Sequence, residues 1–443
     1  MKNRVIVRVA PSPTGLMHIG TARVALFNYL FAKQQNGKLI LRVEDTDRER
    51  SKPEYEENIK EGLSWLGLEF DEIWRQSDRL DIYKKYLQQL LDKNLVYISQ
   101  EEIKKEGDRA TVIRFRNPGQ KISFQDLIHG EISFDTTELG DFIVAKDLNT
   151  PIFHFANVVD DMEAGVTHII RGDDHISNTP RQILLLQALG GQKPIYAHLP
   201  MILAPDRSKL SKRHGAWPVT EYREQGYLKQ AILNFIILLG WSPQSRTEIV
   251  QDGTEDILTM EQMLSFFDLT KVQKKGAIFN LDKLRWLNRV HLKAMSQNER
   301  EAEISKWLSP LLQEKCRANK KLFKNLCLLA IERAETLKEI GEIFNNGEFD
   351  YFFTTPNPEP ELLKTTEFLS EIAQKLSEID EEKFTAETIK EKIWDFATKK
   401  GRAQVLWPMR VALSGKEKSP DPFILAEILG KNETINRIKK VSN

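Results

Sequence analysis

The run Arg8-Val9-Ala10-Pro11-Ser12-Pro13-Thr14-Gly15-Leu16-Met17-His18-Ile19-Gly20 leaves the backbone few choices. Val5, Val7 and Val9 alternate before it, as in a strand. Ala22, Ala25, Leu26, Tyr29 and Leu30 follow at the spacing of one helix face. Two prolines and two glycines therefore fill a strand-to-helix turn. Such a turn points backbone N–H groups and a helix N-terminus at the place a phosphate would take. His18, at the mouth of the helix, can donate to phosphate oxygens. The spacing is neither the Gly-Lys-Ser/Thr phosphate loop nor the Gly-x-Gly-x-x-Gly dinucleotide fingerprint.

A second strand at about 38–43 completes a βαβ pattern. That pattern implies a parallel sheet with ligands at the C-terminal strand ends, where Ser12 and Glu44 would lie. The rhythm breaks between about 80 and 150, where mixed strands and turns suggest an inserted α+β module. It resumes with a strand at Val166–Ile170. There Asn178-Thr179-Pro180 reads as a helix cap with Pro at the first position. From about 220 onward the pattern is nearly all helical.

The 443 residues suit about three domains, and 41% apolar with 29% charged residues suits a globular chain. Net charge is zero, so bulk electrostatics give no argument for nucleic acid. Locally, residues 267–293 carry seven Lys/Arg against two Asp/Glu, and residues 396–418 six against one. Either segment could meet a phosphate backbone. Cys316 and Cys327 are the only cysteines. On one helix they would share a face, with packing as their role. No disulfide framework or apolar leader is apparent, so a cytoplasmic location is expected. The longest apolar run, around Ala231–Trp241, is too short to span a bilayer.

Lys209-Leu210-Ser211-Lys212-Arg213 is a second candidate phosphate loop. Alone it reads more readily as a solvated basic turn. Together, the two strings resemble the His-Ile-Gly-His and Lys-Met-Ser-Lys-Ser signatures of class I aminoacyl-tRNA synthetases, in the form typical of bacterial glutamyl-tRNA synthetases. The resemblance covers the first 290 residues or so firmly. It implies a multidomain α/β protein: a Rossmann-like catalytic domain in two halves (1–79 and 151–206), an inserted acceptor-stem-binding module (80–150), an ATP-loop and stem-contact domain (207–305) and an α-helical anticodon-binding domain (306–443).

The resemblance also implies chemistry. His18, Thr14 and Lys212 would be catalytic. Gly15, His18, Gly20, Lys209, Ser211 and Lys212 would hold ATP, with the glycines admitting close approach. Arg8, Ser12, Glu44, Phe153, Asn157 and Arg171 would hold glutamate, an Arg fork matching its carboxylate and Glu44 its ammonium. Phe153 stands where the family usually has Tyr, which removes a hydroxyl donor. The expected reaction joins glutamate to tRNA(Glu) through glutamyl-adenylate, releasing AMP and pyrophosphate and using ATP with Mg²⁺. Two alternatives are a copy that also or mainly charges tRNA(Gln) and a catalytically silent tRNA-binding relative. No structural zinc is expected, because Val96-Tyr97-Ile98-Ser99 occupies the place of the zinc knuckle found in many relatives. A monomer without membrane contact is expected, and Trp407 is a candidate anticodon contact or a core residue.

Overall fold

The computed structural model describes residues 4–103, 110–208, 210–243 and 256–442. The chain falls into two compact units, Met1–Asn288 and Arg289–Asn443.

The first unit is built on parallel strands. β1 (Ile6–Val9), β2 (Lys38–Val43) and β3 (Glu72–Arg75) pair in parallel, in that order. α1 (Ile19–Gln34) crosses from β1 to β2, and α2 (Pro53–Trp65) lies between β2 and β3. α3 (Leu80–Asp92) then leads into an antiparallel sheet that includes β4 (Val96–Gln100), β5 (Thr111–Phe115) and, after β6 (Lys121–Asp126) and β7 (Gly130–Asp135), also β8 (Phe142–Asp147) and β9 (Thr150–Pro151). α4 (Phe153–Glu163) returns to the parallel frame, where β10 (His168–Gly172) pairs in parallel with β11 (Ile195–Leu199) around α5 (Thr179–Leu189).

β6 belongs to the frame as well as to the inserted stretch. Its last residue, Asp126, pairs with Tyr196, so the sheet runs β10-β11-β6-β7. The insertion is therefore tied into the sheet that carries the site.

β1 and β10 lie side by side without a strand ladder. Thr167 bridges them, its N–H donating to Ile6 O at 3.0 Å and its Oγ1 accepting from Ile6 N at 2.9 Å. On α1, Asn28 Nδ2 donates to Ile170 O at 3.0 Å. α1 can sit there because it is apolar on most sides: Ala22, Ala25, Leu26, Phe27 and Leu30 are fully buried. The outcome is a parting between neighbouring strands, where α/β sheets bind ligands.

At α5 the cap differs from expectation. Thr179 is the first helical residue, Pro180 the second, and Asn178 makes no cap bond. Its Nδ2 instead lies 3.1 Å from His175 Nδ1, because the preceding turn is itself helical. Gly190 closes the helix in the left-handed region, at φ 75°.

The second unit is helical among its described residues. The shared-helix reading of the cysteines is corrected. Cys316 sits on Pro310–Ala318 and Cys327 on Lys320–Arg333, the two helices breaking at Asn319, whose φ of −133° and ψ of 79° are not helical. Both thiols are buried. Trp407 is partly buried: Nε1 donates to Leu362 O at 2.8 Å, while Lys364 and Arg410 lie 4.3 and 4.6 Å from the ring centre. No helix among the described residues is long and apolar enough to cross a membrane.

Candidate active site

Charged side chains converge, buried, at the C-terminal ends of the parallel strands. Arg8 comes from β1, Arg42 and Glu44 from the end of β2, and Arg171 from β10; all four are at most 6% exposed. α4 supplies the remainder. Its Asn157, Asp160 and Asp161 stand at i, i+3 and i+4, so one helix face presents all three.

The bonds among these groups are short. Asp161 Oδ1 accepts from Arg8 Nε at 3.0 Å and Arg42 Nη1 at 2.5 Å. Glu44 Oε1 accepts from Arg42 Nη2 at 2.9 Å and Asn157 Nδ2 at 2.6 Å. Asp160 accepts from Gln76 Nε2 at 2.9 Å, Arg79 Nε at 2.7 Å and Tyr83 OH at 2.8 Å. Arg42 thus acts as the internal counter-ion that lets two carboxylates stay buried.

Burial opposes the Arg42 charge, but Asp161, Glu44 and Asp160 outweigh it and raise the pKa. Burial likewise pushes Asp161 up, and Arg42 and Arg8 more than reverse it, so the carboxyl lies below its ordinary value. Glu44 lies above its ordinary value, because burial exceeds the help from Arg42.

Arg171 is different. Burial first, and then the like charge of Arg8, lower its pKa to about 10. Its bonds go to His198 Nε2 (3.2 Å), Thr179 Oγ1 (2.9 Å) and His175 O (3.4 Å), none of them a carboxylate. Two neighbouring buried cations, one without an anionic partner among the described residues, favour a carboxylate between them. Asn157 Oδ1 is also buried and accepts no hydrogen bond from the described residues. It offers a lone pair to a donor beside Glu44.

The first signature meets the chain a few residues beyond the second. His18 forms an isolated antiparallel bridge with Pro218, and Val219 N donates to Met17 O at 2.8 Å. Asn58 of α2 clamps the junction, accepting from Met17 N at 2.9 Å and donating to Thr220 Oγ1 at 3.1 Å. Pro218 follows Arg213, the last residue of the second motif, by five positions.

His18 caps α1. Its Nδ1 accepts from Gly20 N at 3.1 Å and Thr21 N at 3.3 Å. That use of Nδ1 leaves the proton of the neutral ring on Nε2, as a donor. The side chain is exposed at the loop, yet loss of water to the surrounding protein lowers its pKa, with Asp174 partly opposing. The structure also gives Gly20 its own reason: a Cβ there would sit 2.9 Å from His18 Nδ1.

Ser12 and Thr14 are exposed in the first loop, with Thr14 N donating to Ser12 O at 2.8 Å. A Cβ on Gly15 would meet nothing within 4 Å. Ser211 Oγ lies 3.0 Å from His214 Nδ1. Lys209 lies outside the described residues, and Lys212 is described only by its backbone, which opens a single 3-10 turn to His214. Phe153 stacks on His175 with ring centres 5.7 Å apart. Arg8, Glu44, Asn157 and Arg171 thus come together, joined through Arg42 and Asp161.

Sequence reasoning missed Arg42, Asp160 and Asp161. Arg42 carried a signal: it is the charged residue of an otherwise apolar stretch, Leu39-Ile40-Leu41-Arg42-Val43, in a parallel strand.

Comparison with known proteins accords with this geometry. The family model for the catalytic domain of class I tRNA synthetases (E and Q) matches residues 4–106 and 98–286. A model for an anticodon-binding domain matches residues 302–442. The chain is 39% identical to a glutamate–tRNA ligase of Thermodesulfovibrio yellowstonii, with 99% of each chain covered. It is 40% identical to glutamate–tRNA ligase 1 of Petrotoga mobilis, covering 98% of this chain and 96% of that one. Among solved structures it resembles a glutamate tRNA ligase from Elizabethkingia meningosepticum in complex with its amino acid, at a TM-score of 0.82, 34% identity and 99% coverage of both chains.

Proposed function

The chain belongs to the class I tRNA synthetases of the glutamate and glutamine group, and from that membership we propose that it is a ligase joining glutamate to tRNA(Glu). The observation that carries the substrate is the pair Arg8 and Arg171. They are buried at the parting between β1 and β10, and among the described residues Arg171 bonds to no carboxylate. Such a pair favours an acidic side chain and disfavours its amide. Glu44 and the Asn157 Oδ1 lone pair suit the ammonium end.

In the proposed reaction the α-carboxylate of glutamate attacks the α-phosphorus of ATP and pyrophosphate leaves. The resulting glutamyl-adenylate then passes its acyl group to the tRNA, and AMP departs. Negative charge grows on phosphoryl oxygens in the first step, so fixed donors and cations carry the catalysis. His18 Nε2–H, held at the positive end of α1, supplies one set. Lys212, with Lys209 and Ser211 beside it, supplies the other. Thr14, Gly15 and Gly20 line the first loop, and Ser12 and Phe153 flank glutamate. Phe153 does so without a hydroxyl bond. Mg²⁺ arrives with ATP as part of that substrate.

Acylation of purified tRNA(Glu) and tRNA(Gln) with labelled glutamate tests the reading. Product on tRNA(Glu) alone is expected, since nothing observed favours tRNA(Gln). No product on either overturns it. Lys212→Ala should slow adenylate formation about 10²–10³-fold, the usual consequence of losing one preorganised charge-stabilising group, with tRNA affinity little changed.

A further inference from the structure

Arg171 is aimed by a chain of groups that reaches into the inserted stretch. His198 stands directly opposite it in the β10–β11 register and is fully buried. His198 Nδ1 lies 2.7 Å from Asp126 Oδ2, which also accepts the His198 backbone N–H at 3.0 Å. The other oxygen, Oδ1, accepts from Ile128 N and His129 N, each at 2.9 Å. The carboxylate of Asp126 is therefore held by four donors and cannot turn.

A carboxylate in that setting only accepts, so the His198 proton sits on Nδ1. Nε2 then carries a lone pair, and it takes the Arg171 Nε proton at 3.2 Å. Thr179 works in the same sense. Its hydroxyl donates to His175 O at 3.1 Å, and its oxygen accepts from Arg171 Nη2 at 2.9 Å. One edge of the guanidinium, Nε and Nη2, is thus spent on the protein, and among the described residues no hydrogen bond engages its Nη1 corner, which faces the ligand.

We infer that Asp126 and His198 are positioning residues, which fix the plane and direction of the Arg171 guanidinium and so set the preference for a carboxylate over an amide on the substrate side chain. The inference rests on the reading that Arg171 meets that carboxylate. The other proton arrangements of His198 would turn an N–H against the Arg171 N–H and push the guanidinium aside. The groups facing His198 are Arg171 from β10, Asp126 from β6, His129 after it, His175 before α5 and Tyr196 on its own strand. Burial, only partly offset by Asp126, holds the imidazole below its ordinary pKa. That shift works in the same direction as the hydrogen-bond geometry, which calls for the neutral, accepting ring.

Steady-state tRNA acylation by the full chain separates the possibilities. His198→Phe should raise the KM for glutamate about tenfold, as expected for one lost bond to a charged group, and narrow discrimination against glutamine, while the KM for ATP stays within about twofold. His198→Gln, whose Oε1 can accept from Arg171, should restore most of the loss. An unchanged glutamate KM in His198→Phe, or an equal rise in both KM values, overturns the inference. Arg171→Lys is the control. If it leaves the glutamate KM unchanged, the reading of Arg171 fails. If it raises the KM and His198→Phe does not, only the relay fails. Should His198→Phe not fold, nitrogen spectra of ¹⁵N-histidine in the unaltered enzyme decide: a neutral Nδ1–H ring for His198 at pH 6–8 is expected, and an Nε2–H or imidazolium ring overturns the relay.

Discussion

The two units place charge in opposite ways. The first buries Arg8, Arg42, Glu44, Asp126, Asp160, Asp161 and Arg171 around one parting in a sheet. In the second, Arg437 is the single charged residue buried among the described ones. It is spent on structure: Nη1 donates to Tyr351 O and Leu413 O, both at 2.7 Å, satisfying carbonyls near helix C-termini. Other cations of the second unit lie against tryptophan rings, Lys364 and Arg410 on Trp407 and Arg402 on Trp394. Burying charge costs solvation and is retained where a small charged substrate must be gripped. Stacked surface cations suit a polyanion met at the surface.

That contrast predicts unequal sensitivity to losing a carboxylate. Asp161→Ala leaves Arg8 and Arg42 short of their shared partner in a dry site. It should cost about 3–5 kcal/mol, as breaking buried pairs does. Glu433→Ala removes the carboxylate on Arg437 Nε, but the two carbonyls remain and Glu433 is itself partly exposed. It should cost about 1 kcal/mol or less. Denaturant melts of both variants measure this, and equal losses would break the contrast.

Acid should act on the first unit before the second. His154 and His175 are both pushed down to about 4, by burial first and then by nearby arginines. Unfolded, each titrates near 6.5. As pH falls from about 6.5 to about 4, the unfolded chain binds protons that the folded chain refuses, so stability is lost across that window. Asp161 and Asp126, both held below 3.8, add a further loss only below about pH 4. Glu44, raised, pulls the other way by binding its proton more tightly when folded. The second unit holds one histidine, His291, lowered by burial. Hydrogen exchange at pH 7.5 and 5 should therefore show more loss of protection in residues 4–288 than beyond. Equal loss in both would sink the argument.

The sequence made the ends of this network readable and left its middle hidden. Arg8, Glu44 and Arg171 stand in strings whose local pattern predicts strand ends, so their convergence follows from βαβ geometry. Arg42 meets Asp161 across 119 residues, and His198 meets Asp126 across 72. Nothing local in the chain encodes such pairings. They depend on which strands become neighbours, and the insertion of β6 beside β11 was not visible in alternation. The break at Asn319 was hidden for the opposite reason: two helices of similar apolar pattern, closely joined, read as one.

Helix caps sharpen the comparison at its finest scale. In the second unit Thr336 caps the helix Leu337–Asn345 with a reciprocal Glu339 box. Thr336→Ala should cost about 1 kcal/mol and leave acylation unchanged at low temperature. In the first unit the α1 cap is His18, an unusual choice where Asn or Ser would cap as well. A residue kept for stability alone would tolerate His18→Asn, which can still accept from Gly20 and Thr21 N–H but loses the Nε2–H. Stability should then change by only a few tenths of a kcal/mol, while adenylate formation slows. A variant that melts as the parent does and activates glutamate at the parent rate would return His18 to the structural role that Thr336 holds.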